Sequence, residues 1–289
     1  MKKIYILFIA FVCSFSLVSC YDDDIKNESI FDTSEPNLST FDKWLDNNFR
    51  VPYNIMFKYK FIDIESDIDY NLIPAEIGKS IQIAKLMKFL WFDTYAEMCG
   101  IDFVRTYAPK VIALVGSPAY KTSTNILGTA EGGLKVVLYN INNLNAYNIE
   151  ALNESYFRTM HHEFAHILHQ TKPYDPNYSL LSAGQYIGSS WNNRSAATVA
   201  PLGLVSPYAG SEPNEDFVEV IARYLVCDDA WWSNLYAMAG SSGTEIINKK
   251  IEMIKEYMRE HWGIELDKLR DIVRRRSAEA AYLDLSTNL

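Results

Sequence analysis

The sequence has few cysteines, few glycines and no long apolar segment outside its N-terminus. Four cysteines and 13 glycines among 289 residues exclude a disulfide-stapled miniprotein and a collagen-like fibre. An apolar content of 48% excludes a largely disordered chain. Because the one long apolar run is N-terminal, a membrane protein with several spanning helices is excluded as well.

Basic residues are also in the minority. Lysine and arginine together number 27, against 36 aspartate and glutamate residues, so the formal net charge is −9. An acidic surface repels the phosphate backbone of nucleic acids. We therefore expect no nucleic-acid partner.

The N-terminus has the pattern of an export signal. Lys2 and Lys3 precede an apolar stretch from Ile4 to Val18, which is shorter than the roughly 20 residues that span a bilayer. The stretch ends in Leu17-Val18-Ser19-Cys20, which resembles the lipobox of bacterial lipoproteins. The resemblance implies a signal peptide over residues 1–19 and lipidation of Cys20. The alternative is an ordinary secreted protein with a cysteine near its cleavage site.

The residues after Cys20 bear on location. Tyr21-Asp22-Asp23-Asp24 resembles the acidic tag that directs lipoproteins of Bacteroidota to the outer cell surface, and the alternative is a solvated linker. We expect an outer-membrane lipoprotein exposed at the cell surface, held by its lipid alone.

Of the remaining cysteines, Cys13 is removed with the signal peptide. Cys99 and Cys227 are expected to be buried free thiols, although an exported protein permits a disulfide between them.

The rest of the chain divides into a tether and one domain. Residues 20–38 are rich in Asp, Asn, Ser and Glu and are typical of a flexible tether. Residues 39–289 are long enough for one domain, with a helix predicted to start after Ser39-Thr40. Apolar periodicity predicts strands over 53–64, 111–115 and 134–139, and helices over 81–98, 149–170, 214–227, 244–261 and 265–283. A small sheet followed by helices indicates an α+β fold.

Residues 161–170 contain the pattern H-E-x-x-H. His162 and His166 would lie about 40° apart around a helix axis and about 6 Å apart along it. Both imidazoles can then reach one zinc ion at Zn–N distances of about 2.0–2.1 Å. Glu163 projects about 100° away from His162, where it can act as a general base without binding the metal. The alternative is a structural helix with incidental histidines.

A catalytic zinc site of this kind needs a third protein ligand. His169 lies about 10.5 Å along the helix from His162, whereas ligands of one zinc are about 3–4 Å apart. A straight helix therefore excludes His169 as a ligand. We expect it to support a ligand or to line the cleft.

The candidate third ligand lies downstream. Glu215 and Glu219 are one turn apart in a predicted helix that starts near Pro213. Two carboxylates this close repel each other if they are buried without a cation. Zinc beside Glu215 and a histidine N–H beside Glu219 would remove that repulsion. The alternative is a solvated acidic face.

H-E-x-x-H followed by a helix that carries glutamate resembles the gluzincin class of zinc peptidases. The stretch from Tyr208 to Glu219 is similar to the corresponding segment of anthrax lethal factor, in which Y…E-x-F-x-E has the same spacing. The resemblance implies these roles: zinc ligands His162, His166 and Glu215, general base Glu163, ligand-supporting residue Glu219, and oxyanion-stabilising hydroxyl Tyr208.

More broadly, the chain resembles zinc metallopeptidase lipoproteins of Bacteroidota that are associated with substrate import across the outer membrane. The likeness runs through residues 41–49, 52–60, 162–170 and 215–219. It implies a zincin-like α+β fold with a small mixed sheet and a mainly helical C-terminal part. It also implies a zinc cofactor, a protein, peptide or glycoprotein substrate, and outer-membrane importer components as partners.

Two functions remain open. The first is a surface-anchored zinc metallopeptidase, and the second is a non-catalytic accessory lipoprotein that contains zinc and binds substrate for an importer. Glu163 and Tyr208 favour the first, because a structural zinc site needs no general base. We expect the segment 174–212, which includes Trp191, to form the cleft wall. We expect strand 134–139 to be an edge strand that pairs with extended substrate.

Overall fold

A small mixed sheet and a succession of helices make up the structure, a computed structural model that describes residues 37–60, 72–121, 124–126, 128–131 and 135–289. Two compact units divide the chain, Met1–Leu38 and Ser39–Leu289. The predicted signal peptide, Cys20 and nearly all of the predicted tether lie outside the described residues. Everything below concerns the second unit.

The first helical segment begins where the sequence predicts it. Helix α1 (Thr40–Leu45) is capped by Ser39, whose hydroxyl accepts from the Asp42 backbone N–H while the Asp42 carboxylate accepts from the Ser39 N–H, a capping box. The helix continues through a π-helical turn (Asp46–Arg50) into α2 (Val51–Tyr53).

The prediction of a strand over 53–64 is wrong about where the strand begins. Tyr53 ends a helix, because Asn54 adopts the left-handed conformation (φ 57°) and turns the chain. Strand β1 is therefore short, Met56–Lys58. Residues 61–64 lie outside the described residues.

The helix predicted over 81–98 is present and longer. It consists of α3 (Ile77–Met87), a π-helical turn (Lys88–Phe92) and α4 (Asp93–Cys99). It stops at Gly100, where φ is 86°, and α5 (Ile101–Tyr107) follows at once. Cys99 and Cys227 are free thiols, and burial raises the pKa of Cys99 to about 12.

The main sheet has four strands in the order β1-β2-β6-β5. Strands β1, β2 (Val111–Leu114) and β6 (Lys135–Leu138) are parallel, whereas β5 (Gly128–Glu131) pairs antiparallel to β6. A separate hairpin pairs β3 (Ala119–Lys121) with β4 (Thr124–Ile126). The mixed sheet and the helices that follow confirm the predicted α+β class.

The position of β6 contradicts the prediction of an edge strand over 134–139. Strand β6 has β2 on one side and β5 on the other, so its backbone groups are already paired. Val136, Val137 and Leu138 are all buried, as expected for an interior strand covered on both faces. Among the described strands of this sheet, β5 and β1 form the edges.

Helices make up the C-terminal half. Their bounds are Ile149–Leu152 (α6), a π-helical turn Asn153–Phe157, Arg158–Thr171 (α7), Asn177–Leu180 (α8), Ala196–Val199 (α9), Pro213–Val226 (α10), Asp229–Trp262 (α11) and Leu266–Glu279 (α12), with 3₁₀ turns at Ile141–Asn143, Gly188–Asn193, Ala200–Leu202, Tyr208–Gly210 and Ala280–Tyr282. Helix α11 begins well before the predicted residue 244 and is interrupted by Gly240, whose φ is 65°. No described helix is both long and apolar enough to cross a membrane.

Candidate metal centre

Helix α7 is fixed by aromatic packing on the face opposite the H-E-x-x-H histidines. Phe164 packs against Trp91 and Tyr95, with ring centroids 5.1 Å and 4.8 Å apart. His161 is buried on the same side, and its Nδ1 lies 2.9 Å from the Tyr95 hydroxyl. Because burial lowers the pKa of His161 to about 3, this histidine stays neutral and serves packing.

Helix α10 supplies the third candidate ligand. Pro213 occupies its first turn, where a missing N–H does no harm. Phe217, Val218 and Ile221 are buried, and this apolar packing holds the helix against α7. The side chain of Glu215 consequently reaches His162 and His166.

The three predicted ligands come together. One Glu215 oxygen lies 3.0 Å from His162 Nε2, and the other lies 3.3 Å from His166 Nε2. The candidate ligand atoms of the three residues all lie within 4.8 Å of one another. Two imidazole nitrogens and a carboxylate are a zinc donor set, and ligands of one zinc are about 3–4 Å apart. The residues therefore fit a zinc ion.

Each histidine is held through its other ring nitrogen. His162 Nδ1 lies 3.2 Å from the Oε1 atom of Glu219, and the Glu219 side chain is only 1% exposed. His166 Nδ1 lies 3.0 Å from His169 Nε2. Such contacts fix the tautomer and ring orientation of metal-binding histidines. The structure thus places Glu219 beside His162 and His169 beside His166, and His169 is not among the three clustered candidate ligands.

The two supporting residues differ in charge. Burial lowers the pKa of His169 to about 4, so at neutral pH its ring is uncharged and can accept the N–H of His166. Burial raises the pKa of Glu219, but His162 and two arginines outweigh this and hold it well below its usual range. One histidine is therefore paired with an anion and the other with a neutral ring.

The ligands interact strongly with each other in the absence of a cation. Burial opposes the charged form of His162, but hydrogen bonds to Glu215 and Glu219 prevail and raise its pKa to about 9. The two histidines in turn lower the pKa of Glu215 despite its burial. At neutral pH His162 therefore carries a proton on each ring nitrogen. Zinc can bind Nε2 only after the proton on that nitrogen is released.

Glu163 and Tyr208 adjoin the ligands. Burial raises the pKa of Glu163, against the opposing effect of the two histidines. The Tyr208 ring packs on the His162 ring at 5.8 Å. Burial and an interaction with Glu215 raise the pKa of Tyr208, so its hydroxyl keeps its proton and can donate it in a hydrogen bond.

The segment between the two helices also reaches the site. Trp191 meets the Tyr208 ring at 5.1 Å in an edge-to-face arrangement. The start of the Gly188–Asn193 turn, which contains Trp191, is joined to the Tyr208–Gly210 turn by backbone hydrogen bonds from Ile187 N to Gly210 O and from Gly188 N to Ser211 O. The predicted cleft-wall segment therefore borders the candidate metal centre.

Several residues of the site were missed by the sequence analysis. Arg158 and Arg223 both donate to Glu219, and each lies four residues from a site residue on its own helix, a spacing that could have indicated them. A second group surrounds Asp216, which accepts from Tyr186 and from the buried Lys250. No sequence motif indicates the Asp216 group.

Comparisons with known proteins connect the chain to a zinc-binding family. A family model described as "Putative zinc-binding metallo-peptidase" matches residues 34–267. Because the match covers most of the sequence, the chain belongs to this family. The chain is also similar to a crystal structure described as "a putative zinc-binding metallo-peptidase from Bacteroides caccae ATCC 43185", with 50% identity, a TM-score of 0.78, and coverage of 89% of this chain and 99% of that one. A search of curated proteins finds no match. The likeness to anthrax lethal factor stays a prediction.

Proposed function

We propose that this protein is a zinc-dependent metallopeptidase that hydrolyses peptide bonds. The observation that carries the proposal is the meeting of His162, His166 and Glu215 within 4.8 Å, with Glu163 and Tyr208 beside them. Zinc bound there would polarise the scissile carbonyl and lower the pKa of a coordinated water toward about 7.

Glu163 acts as the general base. It follows His162 directly on α7 and is close enough to interact electrostatically with His162, His166 and Glu215, but it is not one of the clustered candidate ligands. Burial raises the pKa of Glu163 toward neutral pH. A general base works best when its pKa is near the pH at which the enzyme acts. Tyr208 keeps its proton and donates a hydrogen bond to the oxyanion that forms when the carbonyl is attacked.

The substrate lies along β5. Strand β5 pairs only with β6 among the described strands, so its other edge has no partner among those strands. Strand β5 also lies close to α7, the helix that carries His162 and His166. An extended peptide that adds to this edge would present successive side chains to alternate faces. Trp191 and the rest of the 174–212 segment contact those side chains and set specificity.

Location and partners are part of the proposal. We propose that lipidated Cys20 holds the domain at the outer surface of the outer membrane, where it trims protein or glycoprotein for an importer. The support is the lipobox and the acidic residues that follow it.

The replacement Glu163→Gln tests the chemistry. Zinc content should stay at wild-type level, because Glu163 is not in the ligand cluster, while cleavage of a peptide library followed by mass spectrometry should fall by about 10²–10⁴-fold. Glu150→Gln, an exposed glutamate on α6, is the matched control and should cleave normally. Equal activity of Glu163→Gln and wild type would refute the mechanism. Wild type that holds zinc and cleaves nothing would favour the non-catalytic binding protein.

A further inference from the structure

Glu219 is the meeting point of three parts of the chain. Its Oε1 atom accepts from His162 Nδ1 at 3.2 Å and from Arg158 at 2.9 Å, both on α7. Its Oε2 atom accepts from Ser206 at 2.8 Å and from Arg223 at 3.1 Å. An ionised carboxylate has about four lone-pair sites, so all of them are occupied.

Ser206 makes a second hydrogen bond that reaches the neighbouring turn. While it donates to Glu219, its hydroxyl accepts from the Ala209 backbone N–H at 3.1 Å. Ser206 is buried, so water cannot readily replace either partner. The hydroxyl thereby ties the Tyr208–Gly210 turn to the Glu219 carboxylate.

That turn carries the Tyr208 phenol. Backbone hydrogen bonds close this 3₁₀ turn, from Gly210 N to Pro207 O at 3.0 Å and from Ser211 N to Tyr208 O at 2.9 Å. The Tyr208 ring packs between His162 and Trp191, and its hydroxyl interacts with Glu215. A shift of the turn would therefore move the hydroxyl relative to the ligands.

We propose that Ser206 is a positioning residue for Tyr208. It fixes the Tyr208–Gly210 turn to the Glu219 carboxylate, which also orients the candidate metal ligand His162. The Tyr208 hydroxyl is thereby held at a constant position relative to His162. The inference rests on the proposed function, since Ser206 affects turnover only through Tyr208. A misplacement of about 1 Å in such a group can lower a rate by about 10²-fold.

The first experiment compares full-length wild type and Ser206→Ala by metal affinity and by turnover. The Kd for zinc, measured by competition with a chelator, should stay within about threefold of the wild-type value. The reason is that His162 and Arg158 still donate to Glu219 Oε1 in the variant. The kcat should fall about 10–100-fold. Ser206→Thr keeps the hydroxyl and should restore most of the loss. Ser242→Ala, an exposed serine on α11, should match wild type.

A double-mutant cycle then separates positioning from general damage. In a Tyr208→Phe background, Ser206→Ala should cause no further loss of kcat. An equal loss with and without the Tyr208 hydroxyl would overturn the proposal.

A crystal structure of metal-free Ser206→Ala provides a readout that needs no activity. A displaced Tyr208–Gly210 turn supports the proposal, and an unmoved turn overturns it. If wild type binds zinc without any turnover, the proposed function fails, but the position of the turn still decides the role of Ser206.

Discussion

Replacing Lys250 by methionine should strongly destabilise the domain. Lys250 and Asp216 are both 0% exposed and 2.5 Å apart. The ammonium also donates to Ser182 Oγ and Gly203 O, each at 2.8 Å. Burial lowers the pKa of Lys250 and raises that of Asp216, so each charge is tolerable only beside the other.

The magnitude follows from what Lys250→Met leaves behind. Among the described residues, Asp216 would keep only the Tyr186 hydroxyl as a side-chain hydrogen-bond donor. Removing one partner of a buried pair costs about 3–5 kcal/mol. For a domain of this size, that loss lowers Tm by roughly 6–20 °C. The loss should shrink at low pH, because Asp216 then folds as the neutral acid and no charge is buried.

The assay is urea unfolding of the metal-free protein, followed by far-UV circular dichroism at pH 5 and pH 7. Lys249→Met is the matched control, because Lys249 is the adjacent residue, lies 2.8 Å from Glu245 and is 59% exposed. Its loss should stay within about 0.5 kcal/mol. If both variants lose the same stability, or if Lys250→Met loses less than about 1 kcal/mol, the reasoning is refuted.

Three further predictions concern the metal centre and the cleft. His169→Phe removes the acceptor for His166 Nδ1 and should weaken zinc binding about 10–100-fold in a chelator competition, so unchanged affinity would contradict its supporting role. Because zinc displaces a proton from His162, whose metal-free pKa is raised to about 9, zinc affinity should rise about tenfold per pH unit from pH 7 to 9 and then level off. A flat profile over that range would show that no proton is displaced. Trp191→Ala should raise KM more than it lowers kcat, and the reverse would assign Trp191 to Tyr208 positioning instead of substrate contact.

The sequence was most informative where chemistry demands a fixed spacing. Two histidines on one helix can reach the same ion only if they are about one turn apart, as His162 and His166 are. The like charges of Glu215 and Glu219 need cationic partners once they are buried. Both constraints can be read without knowing the fold. The structure brings these residues together because α7 and α10 pack against each other.

Strand order could not be predicted in the same way. A short apolar run such as Val136-Val137-Leu138 is compatible with an edge or an interior position. The order of strands along the chain does not say which strands are neighbours in the sheet. Burial of both faces of β6 is the property of interior strands. Three consecutive apolar residues, Val136, Val137 and Leu138, were the sequence feature that could have indicated an interior strand.

The buried lysine escaped prediction for a related reason. Lys249 and Lys250 are adjacent on α11 and look alike in the sequence, yet only Lys250 falls on the face that buries Ile247, Ile251 and Ile254. Helical spacing places residue 250 on that face. The partner Asp216 lies 34 residues away in a different helix, and no local pattern joins the two.

The central claim is that His162, His166 and Glu215 bind zinc, and the most direct test is the metal content of the purified protein. Wild type should contain one equivalent of zinc by mass spectrometry of the intact metal-loaded protein, and Glu215→Ala should contain almost none while remaining folded by circular dichroism. Zinc that is retained in full by Glu215→Ala, or absent from both proteins after loading, would contradict the account.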